Sequence, residues 1–190
     1  MTFLEYPDRE LLMLSVADRL AQDLGAALRQ DGRASFSVPG GTTPGPIFDT
    51  LSGVDLGWDK ISVFLNDERW VSEDSPRSNT RLLRERLLRG KALHANLVPL
   101  YQEADQPETV LDTLAEGLKP HLPISVLLLG MGADMHTASL FPGADRLADG
   151  LAADAPILLP MRAEAAGEPR ITLTAPYLAG AMKIHVLITG

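Results

Sequence analysis

The sequence predicts an α/β protein built on an open, mostly parallel sheet with helices on both faces. Three observations carry that expectation. Short apolar strands alternate with helical segments along nearly the whole chain. The most apolar run, residues 124–129 (ISVLLL), lies between Pro123 and Gly130 and has the continuous character of a strand covered on both sides. Three unusual loops each follow a predicted strand, which is where ligands bind in such sheets.

From the N-terminus, Leu11, Leu12, Met13, Val16, Leu20, Leu24 and Leu28 recur at helical spacing and Gly32 follows as a stop, so residues 8–29 form an amphipathic helix. Residues 34–38 (ASFSV) are short and extended. They run into a Gly-Pro-rich turn, after which Ile47, Phe48 and Leu51 start a second helix. The alternation then repeats, with strands at 60–66 and 96–100 and helices at 79–89 and 107–118. After the run at 124–129, residues 157–159 and 183–189 supply two further strands. The whole reads as one Rossmann-like domain over residues 1–190 with no linker, repeat or low-complexity tract.

Composition excludes several classes of function. The 190 residues carry a net charge of -8 and their 17 Lys and Arg are dispersed, which disfavours a nucleic-acid surface; any anion must be attracted locally, by a few guanidiniums and oriented N–H groups. Without cysteine there is no disulfide framework and no thiolate metal site. The first residues show neither a basic leader nor an apolar core, and no run is long enough to span a membrane, so a cytoplasmic protein is expected.

The chemistry is concentrated in the three loops. In Pro39-Gly40-Gly41-Thr42-Thr43-Pro44, two glycines allow close backbone approach, two threonines offer hydroxyls and the next helix offers its positive end, a combination suited to phosphate. A plain strand-to-helix turn is the alternative; Lys is absent and the glycine spacing is wrong for a Walker or dinucleotide loop. The second loop, Asn66-Asp67-Glu68-Arg69-Trp70-Val71, sets two carboxylates beside a guanidinium able to grip phosphate or sugar oxygens, or merely a solvated ion pair, with Arg77, Ser78, Asn79 and Arg81 close behind. In the third loop, residues 130–143, Asp134 and His136 stand two residues apart just past the buried strand, so the carboxylate can orient a titratable imidazole at the ligand face. His136 is the best candidate base. His94, His121 and His185 read as structural, and no second His has metal-ligand spacing to His136.

Together these blocks, with Arg170-Ile171-Thr172-Leu173-Thr174, resemble the 6-phosphogluconolactonase family, which shares its fold with glucosamine-6-phosphate deaminases. Their order and spacing agree across nearly the whole chain, and the block from Gly130 to Pro142 is the most specific. The resemblance implies hydrolysis of 6-phosphoglucono-1,5-lactone to 6-phosphogluconate in the oxidative pentose phosphate pathway, with no metal or organic cofactor. It implies that His136 activates water beside Asp134, and that the Gly40, Gly41, Thr42 and Thr43 loop with Arg69 and Arg170 handles phosphate and sugar oxygens; with Asp67 and Asn79 these residues are expected to hold the phosphorylated sugar lactone. The expected partner is that small molecule alone, with the protein a monomer or homodimer. A deaminase or isomerase on the same fold is the nearest rival, but such relatives carry a glutamate after the histidine where this chain has Ser139-Leu140-Phe141-Pro142. A non-catalytic sugar-phosphate sensor is a second rival, with no need of the Asp134 and His136 pair. Two departures stand out: Met135 occupies a position where the family often has glycine, and relatives continue for a few tens of residues beyond the position of Gly190, so the chain is expected to lack the family's C-terminal segment.

Overall fold

In the computed structural model, which describes residues 1–189, the first helix α1 (Arg9–Asp31) opens the fold. Its ends are set by local chemistry: the Asp8 carboxylate accepts from the Leu11 N–H at 2.8 Å, and Gly32 closes the helix in the left-handed region with its N–H donated to Leu28. Met13, Ala17, Leu20 and Leu24, one helical stripe, are buried, and α1 packs against α2 (Gly45–Ser52) and against the sheet. That sheet has five parallel strands in the order β4-β2-β1-β5-β8, formed by β1 (Ala34–Val38), β2 (Ile61–Leu65), β4 (Asn96–Leu97), β5 (Val126–Gly130) and β8 (Lys183–Leu187). All of β1 and nearly all of β2 and β5 are buried, as expected for strands flanked by helices. Phe36 of β1, Phe64 of β2 and Phe48 of α2 are fully buried in the core.

A second, antiparallel sheet of three strands was not foreseen. It has the order β3-β7-β6, from β3 (Asp67–Arg69), β7 (Arg170–Leu173) and β6 (Leu158–Met161). The sequence expectation placed 157–159 among the parallel strands, whereas β6 belongs to this smaller sheet. β3 and β7 read as loop motifs because they are short and begin with charged residues, yet Thr172, Ile171 and Glu68 are fully buried. The remaining helices are α3 (Asn79–Arg86), α4 (Leu111–Leu118) and the single turns α5 (Leu147–Leu151) and α6 (Ala175–Ala179). None of the described helices is long and apolar enough to cross a membrane.

Asn66 is the joint between the two sheets. Its backbone N–H donates to Val38 of β1 and its carbonyl accepts from Leu173 of β7. Its fully buried side chain accepts from the Ser37 hydroxyl at 2.6 Å and donates to the Leu128 carbonyl of β5 at 2.8 Å. One amide thereby ties β1, β5 and the small sheet together at the end of β2. Asn66→Ala should leave the Leu128 carbonyl and Ser37 hydroxyl buried without these partners and cost about 2–3 kcal/mol of stability. Urea unfolding followed by circular dichroism checks this; a loss below about 0.5 kcal/mol would contradict the assignment.

Candidate active site

The carboxyl ends of β1, β2, β5 and β8 open into a cleft of about 390 Å³, within the usual range for small-ligand sites. The loop after β1 contributes Gly40, Gly41 and Thr43, and the segment after β2 contributes Asp67 and Arg69. Asn79 from the start of α3, Arg170 from β7 and His136 from the loop after β5 join them. Thr42 is different: it is exposed and does not line the cleft. Asp134 is also outside the wall and reaches the site only through His136. The three loops singled out by sequence therefore converge because parallel strands deliver them to one edge.

His136 is held on three sides. Its Nδ1 lies 2.5 Å from an Asp134 carboxylate oxygen, and its ring is 4.5 Å from that of Phe141, centroid to centroid. Gly132 backs the imidazole so closely that a Cβ there would lie 2.5 Å from the ring, so only glycine fits. The hydrogen bond to His136 holds the Asp134 carboxyl below its ordinary range. An ionised carboxylate only accepts, so Nδ1 carries the proton and Nε2 is left as the basic nitrogen. Met135 has φ +65° and Ala138 φ +50°, so the residue standing in for glycine adopts the left-handed backbone and bears its cost.

Beyond the Phe141 ring the wall is cationic. Arg170 is almost fully buried, with Nη1 3.6 Å from Asp67 and its guanidinium 5.6 Å from the centre of the Phe141 ring. Asp67 in turn accepts from the buried Ser139 hydroxyl at 2.5 Å. Burial lowers the Arg170 pKa, and the neighbouring charges of Arg69 and Arg77 push the same way against Asp67 and Glu168. Arg69 donates through Nη1 to the Asn79 side chain at 2.6 Å and to the Arg77 carbonyl at 2.7 Å. Nε of Arg170 is buried without a hydrogen-bond partner among the described residues, while Nε of Arg69 lies 3.4 Å from the Glu168 carboxylate without an aligned hydrogen bond; both guanidiniums line the cleft, an arrangement suited to an anion.

Glu68 does not face the cleft. Fully buried, it accepts from the backbone N–H groups of Arg69, Asn79 and Thr80 at 2.7–2.8 Å and from the hydroxyls of Thr80 and Ser78. It thus fixes the start of α3 and, with it, Asn79. Asn79 presses against Gly40, where a Cβ would fall 2.1 Å from its side chain. Sequence reasoning missed Ser139, Phe141 and Glu168 as neighbours of the site. Ser139 and Phe141 lie in the His136 motif and could have been nominated there; nothing marked Glu168. Among the described residues no group of three or more His, Asp or Glu side chains converges as a metal site.

The family described as glucosamine-6-phosphate isomerases/6-phosphogluconolactonase matches residues 7–190. A 6-phosphogluconolactonase of Mesorhizobium japonicum is 44% identical over 185 residues, covering 95% of this chain and 78% of that protein. One of Pseudomonas putida is 37% identical over 187 residues, covering 98% and 77%. The crystal structure of a 6-phosphogluconolactonase from Shewanella baltica superposes with a TM-score of 0.93 at 33% identity, over 97% of this chain and 79% of that one. A monomeric glucosamine-6-phosphate deaminase, at 16% identity and a TM-score of 0.78, shares the fold. By family match, sequence identity and architecture together, the chain belongs to the glucosamine-6-phosphate isomerase/6-phosphogluconolactonase family.

Proposed function

We propose that this protein hydrolyses 6-phosphoglucono-1,5-lactone to 6-phosphogluconate, the lactonase step of the oxidative pentose phosphate pathway. The observation that carries the proposal is that an imidazole hydrogen-bonded to a carboxylate shares one cleft with the guanidinium groups of Arg69 and Arg170. Relatives up to 44% identical that are named 6-phosphogluconolactonase support the same activity.

In this mechanism Nε2 of His136 takes a proton from water as its oxygen attacks the lactone carbonyl carbon. The tetrahedral intermediate then collapses, the bond from that carbon to the ring oxygen breaks, and the imidazolium returns the proton to the departing oxygen. The new carboxylic acid ionises to the product carboxylate. Asp134 keeps the Nδ1 proton in place and offsets the charge that the ring gains. Asp134 is ionised at neutral pH as any ordinary carboxyl is, and the hydrogen bond from His136 lowers it further. The guanidiniums of Arg69 and Arg170 hold the phosphate and sugar oxygens, with the Gly40–Thr43 turn and the start of α2 closing the same side.

General-base assistance is worth about 10²–10⁴ in rate, or roughly 3–5 kcal/mol of barrier. His136→Ala should therefore lower kcat by about that factor, measured as acid release from fresh lactone after subtraction of spontaneous opening. Corrected rates equal to wild type would remove His136 from the mechanism. Asp134→Asn keeps the shape and removes the charge, and should cost about 10–10³ in kcat with little change in KM. Ammonia release from glucosamine 6-phosphate is expected to be nil; a positive result would move the protein to the deaminase branch. Gly40→Ala should act on binding instead, because its Cβ displaces Asn79 and the Arg69 that Asn79 holds. Its KM is expected to rise about tenfold or more with a smaller effect on kcat.

A further inference from the structure

Glu168 stands beside the cleft residue Arg69, on the turn leading into β7, and does not itself line the cleft. Its carboxylate is mostly buried and grips Arg77 through two oxygens, at 3.1 Å from Nε and 2.9 Å from Nη2. The same carboxylate is 3.4 Å from Nε of Arg69, too poorly aligned to count as a hydrogen bond and close enough to neutralise charge. Burial tends to raise the Glu168 carboxyl, but the hydrogen bond from Arg77 and the charges of Arg77 and Arg170 outweigh it and hold it low, so the group is ionised at neutral pH. Three guanidiniums, on Arg69, Arg77 and Arg170, thus face two carboxylates, on Asp67 and Glu168.

Resting on the lactonase reading, we propose that Glu168 is an affinity-setting residue that weakens the cleft's hold on anions and favours release of the hydrolysed product. Ring opening changes the charge of the ligand: the lactone carries only its phosphate, whereas 6-phosphogluconate carries the phosphate and a new carboxylate. A cleft of unopposed guanidiniums would hold the product more tightly than the substrate, and turnover would then be limited by release. A fixed negative charge beside Arg69 opposes this in the required sense, because it repels the more highly charged product more strongly, whichever of the product's anions lies nearer. Glu168 touches neither His136 nor Asp134, so its action falls on binding.

The test is Glu168→Gln, which keeps the size and an acceptor oxygen for Arg77 while removing the charge. Calorimetry with 6-phosphogluconate is expected to show binding about tenfold tighter than wild type, with inorganic phosphate as a competitor of lactone hydrolysis about threefold tighter and KM lowered by a similar threefold. The difference between variant and wild type should shrink as salt rises from about 0.05 to 0.5 M, which a packing defect would not reproduce. Arg77→Ala leaves the Glu168 charge uncompensated beside Arg69 and should shift product affinity the opposite way. Product binding unchanged or weakened in Glu168→Gln, or changes of the same sign in both variants, overturns the proposal. The two possible failures are separable: a wild-type protein without lactonase activity counts against the proposed function, whereas an active one whose product affinity ignores the charge at residue 168 counts against this role of Glu168.

Discussion

The buried carboxylate of Glu68 is the constraint on which the substrate side of the cleft depends. Taking a carboxylate out of water costs several kcal/mol, and burial does push the Glu68 carboxyl upward. What makes the position tenable is the convergence of three backbone N–H groups and two hydroxyls on one side chain, most of them from the first turn of α3, whose unpaired donors need acceptors in any case. The same bonds lock α3 onto β3. Asn79 then reaches both Arg69 and the Asp67 carbonyl, and the guanidinium receives its orientation from a group two steps removed from any ligand. The glycine at position 40 completes the chain of dependence, since the turn after β1 can approach Asn79 only without a side chain.

Electrostatics resolves the apparent mismatch between a strongly acidic protein and an anionic ligand. The excess negative charge is spread over the surface, where solvent and salt screen it within about 10 Å. Around the cleft the charges are close to balanced, with Arg69, Arg77 and Arg170 set against Asp67, Glu168 and Asp134, so the local excess of negative charge is gone. Arg170 is forced into a low-dielectric position among other cations, which is why its pKa falls, and Asp67 and Ser139 keep it oriented without satisfying every donor. A guanidinium held largely away from bulk water interacts with an incoming anion more strongly than a surface lysine would.

The parallel sheet was legible in the sequence because its strands are apolar on both faces. Runs such as 34–38 and 124–129 admit little else, and β1 and β5 lie where those patterns put them. The small antiparallel sheet was not legible, for a physical reason: Asp67–Arg69 and Arg170–Leu173 become strands only because they pair with each other across about a hundred residues, and local pattern carries no trace of that. The site divides in the same way. His136, Asp134, Arg69 and Arg170 stand in motifs at strand ends and were nominated from sequence. Thr42 belongs to such a motif and yet turns outward, since a loop motif fixes the course of the backbone and leaves the direction of each side chain to packing. Glu68 shows the converse. It sits inside the motif as an apparent ligand-binding carboxylate, and its role as the anchor of α3 emerges only once Ser78–Thr80 are folded against it.

The loop bearing His136 stores strain that the rest of the site offsets. Two non-glycine residues in the left-handed region, Met135 and Ala138, flank His136 and Thr137 at a cost of about 1–3 kcal/mol each. A relaxed loop would swing the imidazole away from Asp134 or from the Phe141 ring. The tight turn, closed by the hydrogen bonds from Gly132 N–H to the His136 carbonyl and from Met135 N–H to the Gly132 carbonyl, leaves the ring no such freedom. Just beyond it, the Ser139 N–H donates to Thr172 and its hydroxyl to Asp67, so the far end of the loop is stapled to the cationic wall by buried bonds that solvent does not compete for. The strained backbone thereby sets the distance between the imidazole and the guanidiniums before any ligand arrives, and under the proposed mechanism the ordering that catalysis requires has already been met by folding.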